Sequence, residues 1–144
     1  MSISRNRVFV VGVVVIAALV GITAYSVSSA TAAAEQFVVE VLTGDSDGIA
    51  ASAGNLGAST TESWAQTRTS WVGTPELAQS IDTRSRVDMV WPVPFRIGVN
   101  VDVSGDWLDG RRKATVETTT RFDLRRGWVV DTWLEDAPGM QRTD

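Results

Sequence analysis

Residues 95–124, FRIGVNVDVSGDWLDGRRKATVETTTRFDL, decide the fold of this 144-residue chain. In the first half of the stretch, apolar side chains alternate strictly with polar or small ones, which predicts a strand with one buried and one wet face. Asp109 and Gly110 then predict a tight hairpin turn. The returning strand is expected to bury Ala114, Val116, Thr118, Thr120, Phe122 and Leu124. The stretch therefore predicts a long antiparallel β-hairpin.

The predicted sheet continues on both sides of this hairpin. An upstream strand is expected, in which Val87, Met89, Trp91 and Val93 alternate with Arg86, Asp88 and Val90. Pro92 and Pro94 cannot donate ladder hydrogen bonds, so they limit that strand to an end, an edge or a bend. Downstream, a turn over 125–127 leads to a last strand over 128–135. Residues 137–144 are predicted to form a polar C-terminal tail.

Helical patterns precede the strands. Residues 35–42 place four apolar side chains on one face, namely Phe37, Val38, Val41 and Leu42. Gly44 suits the left-handed position that ends a helix, and Asp45 is expected to cap a second helix. Ser59 and Glu62 have the capping-box spacing of a third helix, over about 60–72. The fold class predicted is α+β, with about three helices packed on a curved antiparallel sheet of about four strands.

An apolar run near the N-terminus indicates where the protein works. Residues 8–24 read VFVVGVVVIAALVGITA and carry no charge. With the mild residues that follow, they reach the roughly 20 residues that cross a bilayer as a helix. Arg5 and Arg7 precede the run, which predicts a cytoplasmic N-terminus. Residues 1–34 are assigned to a cytoplasmic stub and transmembrane anchor, and residues 35–136 to an extracytoplasmic domain.

A cleaved secretory signal is the alternative for this segment. The stretches 30–32 and 32–34 both fit the small-x-small cleavage pattern, but the apolar core exceeds the roughly 7–15 residues usual for a signal. The absence of a helix breaker over 28–41 predicts one helix running from the membrane into the outer domain. Ala17 and Gly21 form a small-xxx-small pair, which either lets another membrane helix approach closely or reflects the ordinary composition of a membrane helix.

Composition argues against several classes of function. Residues 35–144 carry 11 basic and 17 acidic side chains, a net −6, which disfavours nucleic acid as a partner. The basic clusters at 111–113 and 125–126 lie beside turns and are predicted to be solvated. The chain has no histidine or cysteine, and its one tyrosine, Tyr25, lies at the membrane boundary. We therefore predict no enzymatic activity and no cofactor.

A metal site is not expected either. Residues 45–48, Asp-Ser-Asp-Gly, look like the start of a calcium loop. The acidic residue that should close such a loop is replaced by Leu56. We therefore predict a helix cap at Asp45 and no metal.

Six tryptophans lie in the predicted outer domain. Trp133 shares strand parity with Val129 and not with the inner-face residues, so it is expected to leave the core face. There, Trp133 and Val129 either contact a partner protein, or Trp133 is covered by the C-terminal tail or by Trp91. Other aromatic residues are expected either to line a pocket for a lipophilic ligand or to fill the core, and these are Trp64, Trp71, Phe95, Trp107 and Phe122.

Three local patterns resemble the NTF2-like (cystatin-like) superfamily. They are TGDSDGI at 43–49, similar to the join between its first two helices, the hairpin at 95–124, and GWVVD at 127–131, similar to its final strand. The chain is most similar to single-pass bacterial members, such as the Mce-associated membrane proteins of actinobacteria and the inner-membrane scaffold subunits of type IV secretion systems. Twelve arginines against one lysine are typical of a GC-rich genome of that kind.

The resemblance implies an accessory role in an envelope assembly, although a fold does not fix a function. We predict a non-catalytic, membrane-anchored accessory or scaffold subunit in transport, secretion or respiration. Its expected partners are the membrane bilayer and other integral membrane or envelope proteins. The alternative is an extracytoplasmic binding module for a small lipophilic ligand, with a lipid as the partner.

Overall fold

The structure, a computed structural model, describes residues 5–54, 56, 81–91, 95–107, 110–135 and 141–142. Within these ranges the protein is α+β: one long helix packs across a single antiparallel sheet. The predicted third helix, with Trp64 and Trp71, lies outside the described residues. Pro92, Pro94 and Asp109 lie outside them as well.

The first helix, α1 (Arg5–Thr43), runs from the apolar N-terminal segment into the folded domain, as predicted. Its side chains are exposed from Val10 to Tyr25, and a buried stripe begins at Ser26. The stripe recurs every three or four residues and comprises Ser26, Ala30, Ala34, Phe37, Val38, Val41 and Leu42. α1 is therefore a single helix of about 58 Å, exposed in its N-terminal part and packed into the domain in its C-terminal part. The folded unit reaches back to Ser26, well before the predicted boundary at residue 35.

A glycine and an aspartate join α1 to the second helix, as predicted. Gly44 has a φ of +69°, and across it the N–H of Asp45 donates to the C=O of Glu40 at 2.9 Å. This is the bond of a Schellman motif. Asp45 then caps α2 (Ser46–Ser52), where its carboxylate accepts from the N–H of Gly48 at 3.0 Å.

Four long strands follow one another in the sheet, each antiparallel to the next. They are β1 (Asp82–Trp91), β2 (Arg96–Trp107), β3 (Gly110–Asp123) and β4 (Gly127–Glu135). The β2–β3 register is unbroken, which confirms the predicted hairpin. A two-residue strand, β5 (Gln141–Arg142), pairs with β3 beyond the end of β4. Part of the predicted polar tail therefore joins the sheet.

The inner face of the sheet packs against α1. Its fully or almost fully buried residues are Ile97, Val99, Val101, Val103, Val116, Thr118 and Thr120. The hydroxyls of Thr118 and Thr120 donate to the carbonyls of Val99 and Ile97 at 2.8 and 2.9 Å. These bonds satisfy polar groups that burial would otherwise penalise. The alternation in the sequence thus predicted this part of the core correctly.

The helix is shorter than the sheet it covers. The buried segment of α1, from Ser26 to Leu42, is about 26 Å long, whereas the 14 residues of β3 span about 46 Å. Inner-face residues near the β3–β4 turn therefore extend beyond the helix. Phe122 and Leu124 were expected in the core, but their side chains are 46% and 95% exposed.

A β-bulge in β1 reverses the predicted parity of its last residues. The register shifts between Val87 and Met89, so that Met89 pairs with Gly98 and Trp91 pairs with Arg96. Both partners lie on the outer face, because they alternate with the buried residues of β2. Met89 and Trp91 therefore do not share the face of Val87, as strict alternation would require, since one extra residue turns every later side chain to the other face.

A second bulge, in β4, has the same effect on Trp133. The register runs from Thr120↔Val130 to Thr119↔Thr132 and leaves Asp131 as the extra residue. Trp133 consequently pairs with the buried Thr118 and lies on the inner face. The expectation that Trp133 leaves the core face is therefore wrong.

Gly54 lies where the chain leaves α2 and touches β4. Its N–H donates to the C=O of Val130 at 2.7 Å, and an added Cβ would collide with the Asp131 carboxylate. We expect Gly54→Ala to lower the free energy of unfolding by about 1–3 kcal/mol, because a well-packed site must shift. Urea unfolding of the full-length protein in detergent micelles, followed by tryptophan fluorescence, measures this change.

The matched control for that change is Gly98→Ala. The nearest atom to its added Cβ would be in the Trp91 ring at 3.4 Å, an ordinary van der Waals distance. Little change is expected there. Equal loss of stability in the two variants would contradict the close packing described for Gly54.

Candidate interaction sites

Three aromatic rings meet at the β3–β4-turn end of the inner face. The Trp128 ring lies between Phe95 and Phe122, with centroid distances of 5.3 and 5.5 Å. These distances lie in the favourable range for aromatic pairs. Phe95 is 37% exposed, and Phe122 is still more exposed. We call Phe95, Phe122 and Trp128 the turn-end aromatic cluster, and the exposed Leu124 lies beside it in the turn.

The turn-end aromatic cluster differs from the pocket predicted from the sequence. Phe95 immediately precedes β2 and Trp107 is its last residue, so the two lie on the order of 40 Å apart along the strand. Phe95, Trp107 and Phe122 therefore cannot line one cavity. Among the described residues, Phe95 and Phe122 of the predicted lining come together, and Trp128 joins them. Trp64 and Trp71 lie outside the described residues.

The predicted partner-contact residues occupy three different settings. Trp133 packs against the hydrophobic core, and its ring meets Phe37 edge-on at 5.6 Å. Val129 is buried on the outer face. Ala17 and Gly21 lie in the exposed half of α1, where no atom comes within 4 Å of a Cβ built on Gly21. Exposure is therefore compatible with a partner contact at Ala17 and Gly21. It does not support one at Trp133 or Val129, because neither side chain is exposed.

An ion-pair group lies on the outer face of the sheet. The Oδ2 atom of Asp131 is 2.9 Å from Nε of Arg121 and 3.7 Å from Nη2 of Arg96. The Asp131 side chain is only 8% exposed. Its hydrogen bond and charge raise the pKa of Arg121. Both arginines come from register-paired positions on neighbouring strands, so this group connects three strands and neutralises the bulged aspartate.

Arg126 connects the β3–β4 turn to the C-terminal end of α2. Its guanidinium donates to the carbonyl oxygens of Ala51, at 2.8 Å, and of Ala53. A cation at this position satisfies carbonyls that the end of a helix leaves unpaired. The basic clusters at 125–126 and 111–113 lie at opposite ends of β3, so they form two separate surfaces.

Asp123 organises the β3–β4 turn. Its Oδ1 accepts from the backbone N–H groups of Arg125 and Arg126 at 2.8 and 3.1 Å. These two bonds, that from Arg125 first, lower the pKa of the Asp123 carboxyl. They hold the turn that presents Leu124 and the turn-end aromatic cluster.

We expect an NMR titration of the Asp123 carboxyl carbon to give a pKa below its ordinary 3.8. Because the folded-state pKa is depressed, this carboxylate stabilises the fold above that ordinary value. The contribution is lost as the pH falls through the folded-state pKa. A measured pKa at or above 3.8 would show that the two backbone bonds do not form in solution.

Glu40 is a buried carboxylate on α1, packed against Gly48 of α2. The Nε2 of Gln36 donates to its Oε1 at 2.8 Å, while its Oε2 has no hydrogen-bond partner. In the described part of the chain, no group of three or more acidic side chains is arranged to hold a metal ion. Asp45, considered above as part of a calcium loop, serves as the cap of α2.

A polar depression of about 510 Å³ lies at the β2–β3-hairpin end of the sheet. It is lined by Asp82, Arg84, Asp102, Val103, Ser104, Lys113, Ala114 and Thr115. The hydroxyl of Thr115 donates to Oδ1 of Asp102 at 2.8 Å. Charged walls of this kind suit a polar or ionic ligand and do not suit the lipophilic one predicted from the sequence.

No protein-family model, curated protein or solved structure matches this chain. The α+β architecture, with a long apolar N-terminal helix and a four-strand antiparallel sheet, rests on the structure itself. Among the described residues, one helix is long and apolar enough to cross a membrane, as a single-pass anchor or a signal sequence. Membership of the NTF2-like superfamily stays a prediction from the three sequence patterns.

Proposed function

We propose that this protein is a non-catalytic, membrane-anchored accessory subunit of a bacterial cell-envelope complex. Its N-terminus lies in the cytoplasm, and its folded domain lies outside the plasma membrane. The observation that carries the proposal is the continuity of α1. The helix that exposes apolar side chains from Val10 to Tyr25 buries its next residues in the core of the domain, beginning at Ser26.

The same helix favours a retained anchor over a cleaved signal. Both small-x-small patterns, at 30–32 and 32–34, fall inside the buried stripe of α1. Cleavage at either one would detach Ser26 and Ala30 from the core of the domain. Ala30 is completely buried against the sheet, so removal of the segment would expose apolar surface of the sheet.

The turn-end aromatic cluster supports a partner for the folded domain. Exposed aromatic rings beside an exposed leucine form the kind of apolar patch that marks interaction surfaces. In α1, the open surface around Ala17 and Gly21 allows close approach of another membrane helix. The resemblance to envelope accessory proteins supports a partner from a transport, secretion or respiratory assembly.

The lipophilic-ligand alternative has weaker support. In the described part of the chain, the side chains of α1 pack directly against the inner face of the sheet. Ala34, Val38 and Leu42 are fully buried there. A close-packed interior of this kind leaves no room for a ligand between α1 and the central strands.

Co-purification in mild detergent tests the proposal. Tagged full-length protein is captured from its own membranes, and the co-purifying proteins are quantified by mass spectrometry. We expect envelope proteins at a fixed ratio to the bait. The double variant Phe122→Ser/Leu124→Ser removes apolar surface at the turn end and is expected to lose them.

The matched control is Met89→Ser/Val39→Ser, which removes two other exposed apolar side chains. It is expected to keep the same partners at the same ratio. Capture of no envelope protein by the unaltered chain would contradict the accessory role. Equal capture by both double variants would show that the partner does not bind at the turn end.

A further inference from the structure

The helix α1 enters the sheet at one defined end. Its C-terminal end leads directly into α2, and the carbonyl of Ala51 in α2 accepts from Arg126 of the β3–β4 turn. Towards its N-terminus, α1 therefore runs to the opposite end, where β2 and β3 are joined. Val27 and Ala114 both pack against the hydrophobic cluster that includes Ala30 and Val103. We call this the hairpin end, defined by residues 104–107 and 110–113 with β5 and Asp82.

Distances along the helix and the strands show which part of α1 lies level with the hairpin end. Phe37 contacts Trp133, which pairs with Thr118. From Phe37 to Val27 the helix rises by about 15 Å. From Thr118 to Ala114, β3 extends by about 13 Å. Val27 and Ala114 thus lie at a similar height.

The hairpin end consequently reaches the outer part of the apolar run. Residues 111–113 lie about 3–10 Å beyond Ala114 along β3, which matches helix residues of roughly 21–25 at 1.5 Å per residue. A bilayer core of about 30 Å takes up about 20 helical residues, and these end near Val27 when counted from Val8. No linker separates Tyr25, the last residue of the continuous exposed run of α1, from Ser26, the first residue of its buried stripe. The hairpin end therefore lies at the level of the lipid headgroups.

The hairpin end is basic, although the domain as a whole is acidic. Its described strand positions carry four cations, Arg111, Arg112, Lys113 and Arg142, and two acids, Asp82 and Asp106. Arg111 pairs in register with Asp106. Arg112 pairs directly with Arg142 of β5. The strand register therefore places most of the positive charge of this end at neighbouring positions of β3 and β5.

We propose that the hairpin end rests on the membrane surface and binds the anionic headgroups of phospholipids. Clustered arginine and lysine near a membrane surface attract anionic lipids. Trp107 ends β2 at this height, and Tyr25 is exposed at the outer end of the apolar run. Tryptophan and tyrosine are enriched at that depth of a membrane. The inference rests on the proposed anchoring by α1.

Depth-dependent quenching tests this inference with the full-length chain, which has no native cysteine. A fluorophore is attached through Ser104→Cys in the polar depression or through Leu124→Cys at the turn end. Each labelled protein is incorporated into nanodiscs that contain phosphatidylcholine with a spin-labelled headgroup, with or without phosphatidylglycerol. We expect stronger quenching at residue 104 than at residue 124, and a larger difference when phosphatidylglycerol is present.

A charge-matched pair of variants separates lipid charge from mere proximity. Arg112→Gln/Lys113→Gln is expected to reduce the phosphatidylglycerol-dependent quenching at residue 104 by about half or more. Arg86→Gln/Arg125→Gln removes two exposed cations elsewhere and is expected to leave it unchanged. Circular dichroism of both variants confirms that each keeps its fold.

Three results would overturn the inference. Equal quenching at residues 104 and 124 would place the hairpin end away from the membrane. Quenching that ignores phosphatidylglycerol, or that both double variants alter equally, would exclude binding of anionic headgroups by these cations. Failure of the protein to co-elute with nanodiscs would overturn the anchoring itself, and with it the proposed function. The co-elution profile distinguishes this last result from the other two.

Discussion

Replacing Phe37 with alanine is expected to lower the free energy of unfolding by about 3–5 kcal/mol. Phe37 is fully buried, and it belongs to the cluster that joins α1 to β4 through Val41 and Val130. Its ring also makes the edge-on contact with Trp133. The variant loses the burial of the ring, leaves a cavity between helix and sheet, and removes an aromatic pair. Few single changes outside the described core should have a comparable effect.

Urea unfolding of the full-length protein in detergent micelles measures the effect of Phe37→Ala. Tryptophan fluorescence follows the transition, because Trp133 lies in the perturbed contact. The control is Val39→Ala on the exposed side of the same helix, where a change within about 0.5 kcal/mol is expected. Similar losses in the two variants would contradict the assignment of Phe37 to the helix–sheet interface.

A fragment of residues 26–144 is expected to fold, whereas a fragment of residues 35–144 is expected to lose its cooperative unfolding transition. The second fragment begins at the domain boundary predicted from the sequence, but it lacks Ser26, Ala30 and Ala34 of the buried stripe. Their removal exposes part of the β2 valine row, and re-exposing a buried valine costs on the order of 1.5–3 kcal/mol. Domains of this size are stable by only about 5–15 kcal/mol, so the loss of two or more contacts removes most of the margin.

Both fragments are compared by circular dichroism and thermal unfolding at equal protein concentration. We expect a sigmoidal transition for residues 26–144 and a broad, non-cooperative change for residues 35–144. Equal transition temperatures would contradict the structure, because they would show that residues 26–34 are dispensable to the core. In that case, α1 would serve the domain only from Glu35 onward.

Periodicity predicted the regular central part of this fold well. The β2 row of valines, the face of α1 from Phe37 to Leu42 and the join at Gly44–Asp45 all depend on local spacing or on one residue's conformational preference. Such features depend on residues that are close together in the sequence. The sequence therefore contained the information for the hairpin and for the helix that packs against it.

The bulges could not be predicted from spacing alone. Met89 and Trp91 keep the alternation of Val87 in the sequence, and only the pairing with β2 shows that the register shifts. Asp131 is placed by arginines from β2 and β3, which are distant in the chain. For that reason Trp133 was predicted on the wrong face, and the partner contact argued from its exposure was lost with it.

The turn-end aromatic cluster could have been anticipated from element lengths. The β2–β3 strand pair is about 46 Å long, whereas the buried segment of α1 is about 26 Å long. At least one end of the inner face must therefore extend beyond α1. Strand parity alone predicts Phe122 in a core or pocket, because parity takes no account of these lengths. Parity gives the face on which a side chain lies, whereas burial also requires something to cover that face.

The central claim is that α1 both spans the membrane and builds the core of an external domain. Two single-cysteine variants, Ser2→Cys and Glu117→Cys, are treated in intact cells with a membrane-impermeant maleimide, and the mass of each labelled product is measured. Glu117 is exposed on the outer face of β3, away from the proposed partner surface at the turn end. We expect labelling of Glu117→Cys in intact cells, on a membrane-bound product of full-length mass, and labelling of Ser2→Cys only after the membrane is disrupted. Labelling of Glu117→Cys on a soluble product that lacks the N-terminal residues, or its protection in intact cells, would contradict the claim.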